Sequence, residues 1–185
     1  MKLSVSLPLD EKTARSFRAG DVVYLSGSLY TGRGAAHKRR IARLDQEKVL
    51  PFDIEGHTIY YVGPAPASPG HAVGSAGPTS SYRMDPYTPR LIELGLRGMI
   101  GKGKRSPEVI EAMKRHGAVY FGAVGGAAAL IARHIRKSEV IAYEDLGPEA
   151  IHRFEIEDFP AIVIIDSLGN NLYETGPALY KRSDL

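Results

Sequence analysis

Ser106-Pro-Glu-Val-Ile-Glu-Ala-Met-Lys-Arg-His-Gly-Ala-Val-Tyr-Phe-Gly-Ala123 sets the rhythm of the fold. Ser106 is a helix cap, Pro107 suits a first helical position, and Gly117 can end the helix in a left-handed turn. Val119 to Ala123 then reads as a strand. Upstream, Asp85-Pro86 and Thr88-Pro89 repeat the cap-proline device, so a helix is expected to begin between them and run through Leu91, Ile92 and Leu94 to Gly95. Downstream come a small-residue helix over Gly125 to His134 and a strand over Val140 to Tyr143. A buried strand follows over Ala161 to Ile165, then the turn Leu168-Gly-Asn-Asn171 and a short return to Tyr173. The first half is richer in strands: Leu3 to Leu7, Asp21 to Leu25 ending in Gly27, and Thr58 to Val62. Thr31 or Arg33 is expected to open a helix carrying Ala35, Ala36, Ile41 and Leu44. The rigid loop Gly63-Pro-Ala-Pro-Ala-Ser-Pro-Gly70 is expected to cover a site or an interface. Together these patterns give an α/β chain.

At 185 residues, with 43% hydrophobic and 24% charged residues, the composition is that of an ordinary globular protein, and residues 1–185 are expected to form one domain. No run approaches the roughly 20 apolar residues of a membrane span. The first ten residues lack a continuous apolar core, so a cytoplasmic location and no membrane partner are expected. Absence of cysteine excludes disulfides, a thiol nucleophile and a cysteine-held metal centre built by this chain alone. Lys and Arg outnumber Asp and Glu by only 24 to 21, and no RNA-recognition or zinc-finger pattern accompanies the basic run His37-Lys-Arg-Arg40. Nucleic-acid binding is therefore not expected.

Three Gly- or Pro-bounded loops carry the chemistry. Gly77-Pro-Thr79-Ser-Ser-Tyr-Arg83-Met-Asp85 joins hydroxyls to an arginine, whose planar fork matches a carboxylate better than an ammonium does. Arg33 stands between two glycines with His37 four residues on, and Lys102 is flanked by Gly101 and Gly103. Cations at helix N-termini suit an anion, and three such loops suggest a polyanionic small molecule. Other readings stay open on spacing alone: Thr79 and Ser80 making turn hydrogen bonds, Arg83 pairing with Asp85 at the surface, Arg33 in solvent, and His37 capping or packing. Gly125-Gly126 fits close packing better than phosphate binding, and His57, His71, His116, His134 and His152 show no metal-ligand spacing.

Five segments in order resemble one family over nearly the whole chain. They are Ser26-Gly-Ser-Leu-Tyr-Thr-Gly-Arg-Gly-Ala-Ala-His37, Ile59-Tyr-Tyr-Val-Gly-Pro64, Gly74-Ser-Ala-Gly-Pro-Thr-Ser-Ser-Tyr-Arg-Met-Asp85, Met99-Ile-Gly-Lys-Gly103 and Phe159-Pro-Ala-Ile-Val-Ile-Ile-Asp166. The chain is similar to the β subunit, or C-terminal domain, of class I iron–sulfur fumarase and L(+)-tartrate dehydratase. The resemblance implies a swivelling β/β/α domain with a mixed or barrel-like β core and flanking helices. It implies a hydro-lyase subunit for the fumarate–malate step of the tricarboxylic acid cycle, or for tartrate, active only with an α subunit in a hetero-oligomer such as α2β2. That α subunit would carry the 4Fe–4S cluster, with no cofactor or metal bound by this chain. By the same resemblance Arg33, Arg83, Lys102 and His37 would bind the dicarboxylate, while Thr79 and Lys102 would take part in catalysis. A threonine hydroxyl is far from the pKa near 7 of an efficient general base. A non-catalytic anion-binding or nucleic-acid-binding domain is the alternative of another class.

Two departures border the expected pocket. Gly34 stands where the family commonly has Asp, and Tyr82 where a glycine precedes the arginine. Substrate choice is expected to be set around Arg33, Gly34 and Tyr82.

Overall fold

The computed structural model describes residues 3–32, 53–64, 69–74, 76–124 and 128–175, together with 36, 38, 39, 42 and 67. Seven strands are β1 (Leu3–Leu7), β2 (Val22–Thr31), β3 (Thr58–Tyr60), β4 (Gly98–Ile100), β5 (Val119–Ala123), β6 (Ile135–Ala142) and β7 (Ile151–Ile165). The described helices are α1 (Glu11–Ser16), α2 (Thr88–Glu93), α3 (Pro107–His116) and α4 (Ala128–Ala132), with 3-10 helices at Tyr82–Met84 and Glu144–Glu149.

Strand order is β1-β2-β3-β4-β5-β7-β6, and β7 also pairs with β2. This extra pairing closes β2, β3, β4, β5 and β7 into a ring, the expected barrel-like mixed core with flanking helices. The four pairings from β1 through β5 are parallel. Long β7 runs antiparallel to β2 along one edge, while its other edge pairs first with β6 and then with β5.

Period-two alternation sorts the side chains. Val23, Leu25, Tyr60, Ile100, Phe121, Phe154, Phe159 and Val163 from all five ring strands meet in one buried cluster. Their neighbours Ile59, Tyr61, Met99 and Tyr120, joined by Ile165 beyond the register shift between β5 and β7, pack against Leu91, Ile92, Val109 and Met113 of α2 and α3. Each fully buried side chain of this size contributes about 1.5–3 kcal/mol by leaving water.

Helix α3 and β5 have the expected bounds. The Ser106 side chain accepts the Val109 N–H, and Gly117 ends the helix at φ 79°. Elsewhere the structure corrects the expectations. β2 does not stop at Gly27 but continues to Thr31, so Thr31 opens no helix; its hydroxyl instead accepts the His152 N–H at 3.0 Å. Gly27 sits inside the strand at φ +126°, where a Cβ would lie 2.5 Å from the Leu7 carbonyl oxygen. It marks an irregularity at which the register against β7 shifts between Leu25 and Gly27. Strands β6 and β7 are longer than expected. Asp85 caps no helix, because its carboxylate is engaged elsewhere, and α2 starts at Thr88.

Candidate active site

Parallel strands β2 to β5 end in line: Thr31 lies beside Tyr60, Tyr60 beside Ile100, and Ile100 beside Phe121. Just past these ends, the N–H groups of Gly32, Tyr61 and Gly101 donate to Tyr60, Ile100 and Phe121 respectively, at 3.0, 2.9 and 3.1 Å. The carboxyl edge of parallel strands is where α/β proteins bind ligands, because the loops leaving the strands converge there. The loop after β3 carries Thr79 and Arg83, and the loop after β4 carries Lys102. The chain leaves β2 at the same edge toward Arg33, Gly34 and His37, which lie outside the described residues. Farther on, Ala36 packs with Tyr30 and Ile151. Arg39 makes a two-pronged ion pair with Asp145, both contacts 2.8 Å, and lies 4.9 Å from the centre of the Tyr143 ring.

Two of the loops are zipped together. Thr79 donates to the Tyr61 carbonyl both from its N–H at 2.8 Å and from its hydroxyl at 3.0 Å. Lys102 N–H reaches the Thr79 carbonyl at 3.4 Å, and Ser81 N–H reaches the Lys102 carbonyl at 2.9 Å. Ser80 and Lys102 thus form a parallel bridge that extends the sheet past the ends of β3 and β4. Such closeness needs glycine at 101, where a Cβ would stand 2.1 Å from Ser81 Oγ and 2.8 Å from Tyr61 Cδ2. Thr79 is half-buried, whereas Lys102 is exposed. With its hydroxyl proton on Tyr61 O, Thr79 keeps its oxygen lone pairs for accepting a hydrogen bond.

Arg83 is exposed on the 3-10 helix Tyr82–Met84, which is fastened by buried Met84 and by the Met84 N–H donating to Ser81 O at 2.9 Å. Its guanidinium carbon is 6.0 Å from the ring centre of Tyr82, a residue 60% exposed. Asp85 is not its partner. That carboxylate accepts from Arg105 Nε at 2.8 Å and from the Ser106 N–H at 2.6 Å. Arg105 also donates to Tyr61 Oη and Thr88 Oγ1, both at 3.2 Å, and lies 4.9 Å from the centre of the Tyr120 ring. The guanidinium is wholly buried.

Arg105, three residues after Lys102, is thus engaged inside the protein and offers no charge to a ligand. Missed by the sequence were Asp85, Tyr61, Ser81 and Tyr120, which support the loops from beneath. The alternation of Tyr61 and Tyr120 toward the helix side was the available signal. Burial pushes the Tyr120 hydroxyl well above its ordinary pKa and does the same to Tyr60, so both stay neutral hydrogen-bonding groups. A cavity of about 620 Å³ flanks this seat, lined by Tyr82, Asp85, Pro86, Pro89, Lys104 and Arg105; it is not lined by Thr79 or Lys102.

The described residues contain no group of three His, Asp or Glu side chains able to hold a metal ion, and the chain has no cysteine. An iron–sulfur cluster finds no fitting ligand set among them.

Residues 1–176 match the family described as the fumarase C-terminus. The aerobic class I fumarate hydratase of Salmonella typhimurium is 43% identical over 152 residues, covering 81% of this chain and 26% of the relative. That of Escherichia coli K12 is 38% identical over 178 residues, covering 94% of this chain and 32% of the relative. The chain thus spans about a quarter to a third of the length of these enzymes. Against a protein of Methanocaldococcus jannaschii named putative L(+)-tartrate dehydratase subunit beta, identity is 36% over 172 residues. There the match covers 90% of this chain and 88% of the relative.

Proposed function

The chain belongs to the fumarase C-terminus family, and from that premise we propose that it is the carboxylate-binding subunit of a two-part iron–sulfur hydro-lyase acting on fumarate and malate. The observation that carries this reading is the bridge holding Thr79 and Lys102 side by side at the carboxyl edge of the parallel strands. Residues 1–185 form one domain in this reading, it works in the cytoplasm, and a cysteine-bearing α subunit holds the 4Fe–4S cluster, with α2β2 as the assembly.

Each group of this chain has a distinct task. Arg33, Arg83 and Lys102, with His37, bind the two carboxylates, Arg83 through its bidentate fork and Lys102 as a point charge. When a proton leaves the carbon beside a carboxylate, negative charge spreads onto that carboxylate, and fixed cations stabilise it without reorganising. Thr79 sits close to the carbon that gains or loses a proton, where its hydroxyl oxygen, with its own proton on Tyr61 O, is left to accept a hydrogen bond. Among described residues neither Arg83 nor Lys102 is paired with a carboxylate, which leaves both charges available.

Tartrate is the second substrate reading, favoured by the match along 88% of the Methanocaldococcus protein. The test is to purify the chain alone and with a co-expressed cysteine-bearing partner, then assay iron, fumarate hydration and tartrate dehydration. Activity and iron are expected only in the complex. Robust hydration by the chain alone sinks the two-part reading, and activity on tartrate without fumarate reverses the order of substrates.

A further inference from the structure

Gly103 follows Lys102 at a left-handed φ of +88°, a conformation open to glycine without strain. A glycine so placed has many alternatives, and it must be held if Lys102 is to keep one direction. Two tyrosines remote in sequence hold it from both sides. The Tyr120 hydroxyl donates to Gly103 O at 2.9 Å, and the Gly103 N–H donates to Tyr173 Oη at 3.0 Å. With its proton on Gly103, Tyr120 accepts from Ser81 Oγ at 2.7 Å, and the Ser81 N–H binds Lys102 O. The network therefore encircles Lys102.

Tyr173 reaches this place through a built turn. Asp166, fully buried, accepts from the N–H groups of Ala19, Leu168 and Asn170 and from the Asn170 side chain, all within 3.0 Å. The chain then reverses, Asn171 bridges back to Ile165, and Asn171 Oδ1 accepts the Tyr173 N–H at 3.0 Å. A strand end, a buried carboxylate and a return segment thus deliver one phenol to the peptide after Lys102.

We propose that Tyr173 is a positioning residue for Lys102, fixing the direction of its ammonium by accepting the Gly103 N–H. The inference rests on the reading of Lys102 as a carboxylate-binding group. Tyr173→Phe keeps the ring, which packs against the cluster around Ile165, and deletes only the acceptor. In the assembled enzyme it is expected to raise the KM for fumarate about fivefold, the effect of one lost hydrogen bond. Turnover at saturation is expected to fall by less than KM rises, since Lys102 holds the carboxylate in the ground state as well as the charge that develops on it. Gly103 amide exchange is expected to quicken while the urea midpoint of the chain stays in place. A purely structural tyrosine would instead lower the midpoint and leave KM alone. An unchanged KM, or a kcat falling as far as KM rises, overturns the proposal. Lys102→Met is run in parallel: no loss of kcat/KM there removes the premise about Lys102, while a large loss beside an unaltered Tyr173→Phe removes only the role of Tyr173.

Discussion

Lys102 and Arg105 belong to one loop, but Lys102 lies exposed at the strand edge while Arg105 is wholly buried against Asp85, Thr88 and Tyr61. A charge in water is free to meet a ligand. A charge out of water is costly unless paired and fully hydrogen-bonded, and Arg105 meets that condition through a carboxylate, a phenol and a hydroxyl. The same residue class thus builds the seat at one position and the binding surface three residues away. Composition cannot separate the two; partners and burial do.

The sharpest way to break this contrast is to remove one member of the buried pair. Asp85→Ala or Arg105→Met is expected to cost about 3–5 kcal/mol of stability, since each strands the other charge. The double change Asp85→Leu/Arg105→Met is expected to recover much of that loss, whereas Lys102→Met leaves the urea midpoint within about 0.5 kcal/mol of its starting stability. Equal losses for Lys102→Met and Arg105→Met erase the distinction.

On the exposed side, Arg83→Lys keeps the charge and loses the fork. In the assembled enzyme a fall in kcat/KM equivalent to about 2–4 kcal/mol is expected, with unchanged unfolding. An unaltered kcat/KM moves Arg83 off the substrate.

Gly101→Ala acts where seat and edge meet. The new methyl must displace Ser81 Oγ from Tyr120 or push the Tyr61 ring, so a stability loss of about 1–3 kcal/mol is expected together with weakened substrate binding. Stability lost with binding intact would mean that the bridge to Ser80 is not needed for the site.

The smallest effect is on acid sensitivity. Burial holds His57 and His152 below the ordinary histidine pKa of 6.5, partly opposed at His57 by Asp53. The unfolded chain therefore takes up these protons first as pH falls. Their contribution is full from about a unit above pH 6.5 and declines as pH falls through that value. Urea midpoints are expected to drop between about pH 7.5 and 5.5, and the double variant His57→Gln/His152→Gln to flatten that decline. A slope unaltered by the double change assigns the acid sensitivity to other groups.

Legibility in the sequence followed the range of the interactions. Helix α3 was readable because Ser106, Pro107 and Gly117 act within a turn of their own positions. Helix α1 has no counterpart among the expectations, although Asp10 accepts the Thr13 N–H at 2.7 Å and Glu11 suits the first turn. The first part of β7 was hidden by its own chemistry. His152, Arg153, Glu155 and Glu157 interrupt the apolar pattern, and Asp158 and Pro160 look like turn residues. In the fold Asp158 adopts φ 47° opposite the irregularity at Gly27, with its N–H on Ser26 Oγ, and Pro160 is accommodated beside it. Arg153 pairs with Glu139 across strands, an interaction without local trace. For the site, Thr79 and Lys102 were named from residue type, but their pairing is set by the register of β3 and β4. The role of Arg105 left no trace in the sequence, because nothing near it announces Asp85, twenty residues earlier, as its partner.

Closure of the ring by β7 has a bearing on how the chain acquires its structure. The residues pairing β2 with β7 lie more than a hundred positions apart, from Val22 with Ile162 to Tyr30 with Arg153. Loop-closure entropy must be met before those contacts form, so assembly of the barrel is a late and slow event. On the ribosome, β2 and β5 are made well before the strand that covers their edges. During that interval the unpaired edges are open to neighbouring nascent chains, and protection from edge-to-edge association comes only when residues 151–165 arrive.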